Sequence, residues 1–184
     1  GIAMANRAEW IMAFVALLAI GAVPVLLNSR GAGVELRRAI ELADCVATIC
    51  DEERYGLLLD IGDLPVPTIL LGRAEGAALD FEKASKVRPG LSLTFAPRQP
   101  DDPALIMFSS GTTGYPKAIV HSQGGMAHAL SLGFLMNEAF DAIYEGEFGR
   151  DPYIDQPRSN PPLVLSSPLF HVAGLSFVVG GLSL

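Results

Sequence analysis

Residues 109–117 read Ser-Ser-Gly-Thr-Thr-Gly-Tyr-Pro-Lys, and this stretch decides how the rest of the sequence is interpreted. It follows the apolar run 104–108, which predicts a buried strand. Glycines let backbone N–H groups approach an anion closely, hydroxyls add donors, and a lysine supplies a mobile positive charge. A strand that leads into such a loop predicts a phosphate-binding site. The loop is not a Walker A sequence, because Lys117 follows a proline and precedes Ala118 rather than Ser or Thr.

Residues 110–117 resemble the phosphate-binding loop of the adenylate-forming superfamily, which includes acyl-CoA synthetases, aryl-CoA ligases, peptide-synthetase adenylation domains and luciferases. The family pattern is Ser-Gly-Thr-Thr-Gly-x-Pro-Lys-Gly, and this chain departs from it at Ala118. A non-glycine residue at that position would be strained only if its φ had to be positive. The pair His121-Ser122 and the segment 168–174, Pro-Leu-Phe-His-Val-Ala-Gly, resemble further family motifs. A plain glycine-rich turn is the alternative interpretation of the loop.

The resemblance implies ATP-dependent activation of a carboxylic acid. The carboxylate attacks the α-phosphorus of ATP, which gives an acyl-adenylate and pyrophosphate, and a thiol such as that of coenzyme A then takes the acyl group. The residues assigned to the ATP phosphates are Ser109, Ser110, Gly111, Thr112, Thr113, Gly114, Pro116 and Lys117.

Lys117 and His171 are the candidate catalytic residues that the resemblance implies. Lys117 would offset the charge of the departing pyrophosphate, while His171 would orient the carboxylate or form part of the gate for the second substrate. Mg²⁺ would add positive charge, but the glutamate segment that helps to hold it in the family is missing from this sequence. We therefore assign no metal ligand.

Two other functions stay open. Within the enzyme class, the chain could come from an adenylation domain that loads a carrier protein or another acceptor. Outside that class, it could be a non-catalytic nucleotide binder that kept the loop. The apolar stretch after the loop favours a hydrophobic or aromatic acid as substrate.

The order of predicted elements indicates an α/β fold with a wound, mostly parallel sheet flanked by helices. Asn6 is predicted to cap the first helix together with Glu9, and Gly21 to end it. The predicted strands are 2–5, 23–27, 46–50, 65–71 and 104–108, and the predicted helices are 8–20, 33–43, 77–86 and 122–140. The family resemblance extends to the segments around Asn6 and Gly21.

The resemblance also implies that residues 1–184 are an incomplete part of the large N-terminal, ATP- and acyl-binding domain, with the C-terminal domain absent. Both ends fall in apolar runs, whereas domain edges tend to be polar and exposed. We expect this piece to be inactive by itself.

Charge and cysteine content exclude some functions and favour a compartment. A net charge of −7 argues against a general nucleic-acid binder. Cys45 and Cys50 have no companion His or Cys that would complete a zinc site, and the ends of one strand cannot easily form a disulfide. We expect both to be reduced, buried and structural, as in a cytoplasmic protein. Oligomerisation stays open.

The run 10–27 contains no charged residue and approaches the length of a membrane span. Gly21 and Pro24 divide it, so it predicts a helix followed by a strand. A membrane-anchored structural protein is the alternative, and it rests on this run alone.

Two stretches after the loop carry open predictions. Met126, Leu130, Phe134 and Met136 could line an acyl tunnel, although core packing is the preferred explanation. Residues 141–162 are predicted to be a long polar connection, either a lid or partner-binding loop or a solvated insertion with no role, in which the side chains to test are Tyr144, Phe148 and Tyr153.

Overall fold

The structure is a computed structural model that describes residues 1–73, 78–86, 90, 97–109, 116–149 and 165–182. Short strands and helices alternate over its first half. The strands are β1 Ile2–Ala3, β2 Thr48–Asp51, β3 Thr68–Leu71, β4 Leu79–Asp80, β5 Pro103–Ser109 and β6 Lys117–Ser122. The helices are α1 Ala8–Ala19, α2 Gly33–Leu42, α3 Glu52–Leu59, α4 Phe81–Ala84, α5 Gln123–Phe148 and α6 Val172–Leu182.

The strands form two sheets that a further extended segment joins. Strands β1 to β4 pair in sequence order and in parallel, whereas β5 and β6 form an antiparallel hairpin. Residues 24–27 lie between the two sheets. On one side the Ile2 N–H donates to the Val25 carbonyl at 2.9 Å, and on the other the Leu26 N–H donates to the Ile106 carbonyl at 2.9 Å. Both bridges are parallel, which confirms the predicted mostly parallel α/β sheet.

The core consists of two layers, one on each face of this sheet. Ile2, Leu26 and Leu105 pack on one face, in a cluster that α1 and α6 complete. Their neighbours Ala3, Leu27 and Ile106 belong to the other face, which α2 and α3 cover. This alternation is the period of two that a strand imposes, and it makes the fold a sheet with helices on both sides.

Helix α1 confirms the predicted helix and its C-terminal signal. Gly21 has a φ of 77°, its N–H donates to the Leu18 carbonyl, and the Ala22 N–H donates to the Leu17 carbonyl. This pair of bonds is a Schellman motif. The predicted N-cap is wrong, because the capping position is Arg7 and no side chain caps the helix there. Asn6 bonds elsewhere in the fold, as described below.

The run 10–27 is divided as predicted, into a helix and an extended segment. Trp10 and Phe14 stack in the core with ring centroids 5.3 Å apart. None of the helices that the structure describes has the length and apolar content needed to cross a membrane.

Several elements differ from the sequence-based expectations. Helix α3 and strand β6 were not predicted, and the predicted helix 77–86 is replaced over its described part by the short β4 and α4. Helix α5 runs to Phe148, so the prediction of a connection is wrong for residues 141–148. No proline interrupts this stretch, and Gly149, with a φ of 79°, follows its end. Residues 150–162, including Tyr153, lie outside the described residues, as do the side chains of Tyr144 and Phe148.

Core packing holds for only part of α5. Met126 packs against the core, but Phe134 and Met136 are 42% and 48% exposed. Leu132 and Leu135 are exposed as well, so the apolar residues surround the helix instead of forming one buried stripe. The preferred explanation is therefore wrong for Phe134 and Met136.

Candidate active site

The candidate site lies at the carboxyl edge of the sheet. Strand β1, segment 24–27 and strand β5 run in parallel, so their carboxyl ends meet at this edge. Asn6 follows β1 there, and β5 delivers Ser109 to it. Ligands of open parallel sheets bind at the carboxyl ends of the strands, because the loops that leave this edge surround a crevice.

The hairpin β5–β6 holds the two ends of the predicted phosphate-binding loop together. Ser109 is the register partner of Lys117, and Phe108 is that of Ala118. The loop therefore leaves and returns at adjacent points, which brings the first and last of its predicted ligands close to each other. Ser110, Gly111, Thr112, Thr113 and Gly114 lie outside the described residues, so their phosphate-binding roles stay predictions.

The amino group of Lys117 is available to an anion. Its side chain is exposed, and no carboxylate within the described ranges forms an ion pair with it. Lysine presents a compact, mobile charge that can follow a phosphate. The position of Lys117 at the start of β6 fixes its backbone while its side chain stays free to move.

Ala118 is unstrained. Asp44 is the only non-glycine residue with a positive φ within the part of the chain that the structure describes, so Ala118 needs none of glycine's freedom. The departure from the family pattern at this position therefore does not distort the strand.

A cavity of about 300 Å³ lies beside the returning end of the loop. Pro116 and Phe108 form its wall on the hairpin side, and α2 forms the other wall. Its lining from α2 comprises Val34, Glu35, Arg38, Ala39 and Leu42. Pro116 thus contributes to this wall.

His121 and Ser122 end β6 and start α5. The Ser122 hydroxyl accepts a hydrogen bond from the Gly125 N–H at 3.1 Å, so it is the N-cap of α5. His121 is half-buried on the hairpin, opposite Leu105. Ser122 thus has a structural role at the start of the helix that follows the hairpin.

The segment 168–174 forms a turn followed by α6, and it presents His171 to solvent. The His171 N–H donates to the Pro168 carbonyl at 3.0 Å, and the His171 carbonyl accepts from the Leu175 N–H at 2.9 Å. Its Nδ1 accepts a weak bond from the Ala173 N–H at 3.4 Å. In the neutral ring the proton then lies on Nε2, which can donate to a substrate oxygen.

The sequence did not reveal that Asn6 belongs to this edge. Its amide Nδ2 donates to the Ser167 carbonyl at 2.8 Å, and its Oδ1 accepts from the Leu169 N–H at 2.9 Å. The side chain thus ties the end of β1 to the turn that carries His171. The adjacent motifs around Asn6 and His171 were the available signal, but their contact spans more than 160 residues.

A partly buried ion pair supports the same edge, and it too was missed. Asp51 is 3% exposed, pairs with Arg54 at 3.2 Å and accepts the Ala5 N–H at 2.8 Å. The Asp51 side chain also accepts from the Arg54 N–H at 3.1 Å and so caps α3. Asp51 before Glu52 and Glu53 was the sequence signal for this helix start.

No group of three or more His, Cys, Asp or Glu residues within the described ranges could hold a metal ion. Hydroxyls and a lysine, the donor types of residues 109–117, suit phosphate oxygens rather than a metal cation.

Comparison with known proteins identifies the family. The family described as AMP-binding enzyme matches residues 1–184. The chain is 36% identical over 126 residues to the 3-hydroxybenzoate–CoA ligase of Aromatoleum sp. (strain CIB), a match that covers 66% of this chain and 24% of the ligase. It is 35% identical over 123 residues to the 3-hydroxybenzoate–CoA/4-hydroxybenzoate–CoA ligase of Thauera aromatica, with 65% and 24% covered.

The fold agrees with this assignment. The solved structure of the amide bond synthetase McbA from Marinactinospora thermotolerans superposes with a TM-score of 0.67 at 26% identity, over 97% of this chain and 32% of that one. The chain thus spans about a quarter of the length of the ligases it matches. Because the family matches residues 1–184, the chain belongs to the AMP-binding enzyme family of adenylate-forming proteins.

Proposed function

We propose that this chain is part of the N-terminal domain of an enzyme that uses ATP to convert a carboxylic acid to an acyl-adenylate and then to a coenzyme A thioester. The observation that carries the proposal is the pairing of Ser109 with Lys117 at the carboxyl edge of the sheet. This pairing joins the two ends of a loop that has the family's glycine, threonine and lysine pattern. It also places the positive charge of Lys117 at the end of that loop. The family match over residues 1–184 supports the same reaction.

The first step, adenylation of the carboxylate, needs positive charge in the site. A carboxylate and a triphosphate are both anions, and the departing pyrophosphate gains negative charge as the α-phosphorus is transferred. Lys117 supplies positive charge at the pyrophosphate end. Mg²⁺ accompanies ATP in this proposal as a counter-charge on the phosphate oxygens.

The loop residues divide the work of holding the phosphates. The hydroxyls of Ser109, Ser110, Thr112 and Thr113 donate hydrogen bonds to phosphate oxygens, and Gly111 and Gly114 allow the backbone N–H groups to approach. Pro116 limits the turn before Lys117 to a narrow range of φ. The antiparallel pairing of the flanking strands supports this arrangement, because it keeps both ends of the loop together.

His171 is proposed to act on the acid rather than on the nucleotide. Its ring is exposed at the start of α6, and its Nδ1 is occupied by the Ala173 N–H. The Nε2 group is left to orient the carboxylate or to form part of the gate for the second substrate.

We infer that the acid is hydrophobic and most simply aromatic. The two ligases described above are named for hydroxybenzoates, and their identity to this chain exceeds one third. A fatty acid is the other hydrophobic substrate class that the test below includes. The free Cys45 and Cys50 support a cytoplasmic location.

A different acceptor is the second candidate function. The amide bond synthetase that shares this fold is named for the formation of an amide rather than a thioester. The activation step would be the same, and a carrier protein or an amine would take the acyl group instead of coenzyme A.

Product analysis tests the proposal. The full-length protein that contains this chain is incubated with ATP, Mg²⁺ and a panel of benzoates and long-chain fatty acids, with and without coenzyme A, and products are identified by mass spectrometry. We expect acyl-adenylate without coenzyme A and acyl-CoA with it, for benzoates foremost. An adenylate that forms but does not react with coenzyme A would favour the second candidate, and ATP binding without any adenylate would contradict both.

A further inference from the structure

The Asn6 side chain makes a double hydrogen bond that no local rule explains. It joins the end of β1 to the turn before α6, through the Ser167 carbonyl at 2.8 Å and the Leu169 N–H at 2.9 Å. Asparagine suits this contact because its amide carries a donor and an acceptor side by side. An amide bonded on both sides to backbone fixes distance and orientation together.

The bonded groups flank Pro168 as the bonds of a parallel strand would. A residue of a parallel strand accepts from one residue of its neighbour and donates to the residue two positions away. Pro168 itself has no N–H to donate. Asn6 instead bonds to the carbonyl of the residue before Pro168 and to the N–H of the residue after it. The turn is therefore docked to the sheet by a side chain in place of another strand.

The position of the turn determines where His171 lies. Leu169 is 2% exposed in the core, and the His171 N–H donates to the Pro168 carbonyl at 3.0 Å. Only one residue, Phe170, separates Leu169 from His171. A shift of the Leu169 backbone must consequently move the imidazole relative to the carboxyl edge.

Asn6 is itself held in place by the backbone that precedes it. The Ala5 N–H donates to the buried Asp51 carboxylate at 2.8 Å, and Arg54 pairs with that carboxylate at 3.2 Å. The guanidinium also donates to the Ser29 carbonyl at 2.7 Å. This ion pair, in which Asp51 is buried and Arg54 partly buried, supports the residue beside it.

We propose that Asn6 is a positioning residue that holds His171 in the geometry required for adenylation. The inference rests on the proposed function, in which His171 orients the carboxylate. A misplacement of about 1 Å in a catalytic group can lower the rate on the order of a hundredfold. Asn6 would thus influence catalysis without contact with substrate.

A double-mutant cycle in the full-length protein tests this proposal. Asn6→Ala removes both bonds, and we expect it to lower kcat for adenylation on the order of ten- to a hundredfold, with a smaller change in the KM for ATP. In a His171→Ala background the same change should have little further effect. Equal losses of activity in the two backgrounds would overturn the proposal, because they would mean that Asn6 acts only through stability.

Two further variants separate the bonds from general effects. Asn6→Asp keeps the acceptor for Leu169 but places an oxygen against the Ser167 carbonyl, so activity should fall as well. Asn28→Ala is the matched control, since the Asn28 side chain accepts a local bond from the Arg30 N–H at 3.0 Å, and its activity should stay at the parent level. Full activity of Asn6→Asp would overturn the double-bond geometry.

Hydrogen exchange distinguishes failure of this inference from failure of the proposed function. In the Asn6→Ala variant we expect the Leu169 amide to exchange on the order of tenfold faster, with Gly125 unchanged. If the parent protein forms no adenylate, the proposed function fails and the exchange result alone decides whether Asn6 positions the turn. Unchanged exchange at Leu169 would overturn the inference in either case.

Discussion

Gly174 lies against the carbonyl group of Pro168, so closely that a Cβ at position 174 would overlap the carbonyl oxygen and lie 2.6 Å from the carbonyl carbon. Both obstructing atoms are backbone. The turn folds back over the first turn of α6, and this contact explains why the segment 168–174 ends in glycine. The turn that carries His171 is thus in close contact with Gly174 and hydrogen-bonded to Asn6.

Gly174→Ala should therefore destabilise the protein and displace the turn. Overpacking against backbone costs about 1–3 kcal/mol, which at this size lowers the Tm by several degrees. Thermal unfolding of the parent chain and the variant measures this change in Tm. The matched control is Gly133→Ala in α5, where an added Cβ meets no atom within 4 Å, and where alanine should raise stability by up to about 1 kcal/mol. Equal Tm values for the two variants would contradict the contact.

Cys50 gives a prediction about pH. Burial raises the pKa of the Cys50 thiol from its ordinary 9.0 to about 11. The folded state therefore keeps the proton that the unfolded state loses, so this contribution to stability is complete below pH 9 and is lost as pH rises towards 11. The full contribution of the Cys50 thiol to the free energy of unfolding is about 3 kcal/mol.

The measurement is urea unfolding between pH 8 and 11 in the parent chain and in Cys50→Ala. The decline with pH should be shallower in Cys50→Ala, whereas Cys45→Ala, which keeps Cys50, should retain the parent slope. At neutral pH a thiol reagent should label the half-buried Cys45 before Cys50. Identical slopes in all three proteins would contradict the burial of a neutral thiol.

Local signals predicted the local features of this fold. Gly21 ends α1 as expected, and the apolar runs give strands in the expected order. Asp51 ahead of two glutamates was a usable signal for α3, and the β-branched pair Ile119 and Val120 was one for β6.

Contacts between distant residues escaped the same reasoning. Asn6 satisfies the local rule for an N-cap, yet its side chain bonds to Leu169 because the tertiary contact offers a donor and an acceptor together. The antiparallel pairing of Lys117 with Ser109 likewise depends on strand register rather than on propensity. For the site, the sequence therefore predicted candidate residues, and the fold showed how some of them are held together.

The central claim is that the loop closed by Lys117 binds ATP for carboxylate activation, and carboxylate-dependent ATP–pyrophosphate exchange by the full-length protein tests it most directly. We expect Lys117→Ala to lower kcat/KM for exchange on the order of a hundred- to a thousandfold, largely through kcat. Lys83→Ala removes an exposed lysine of α4 that pairs with Asp80, and it should leave the exchange rate unchanged. A Lys117→Ala protein that keeps the parent kcat and only needs more ATP would contradict the account, because the loop would then bind nucleotide without assisting the reaction.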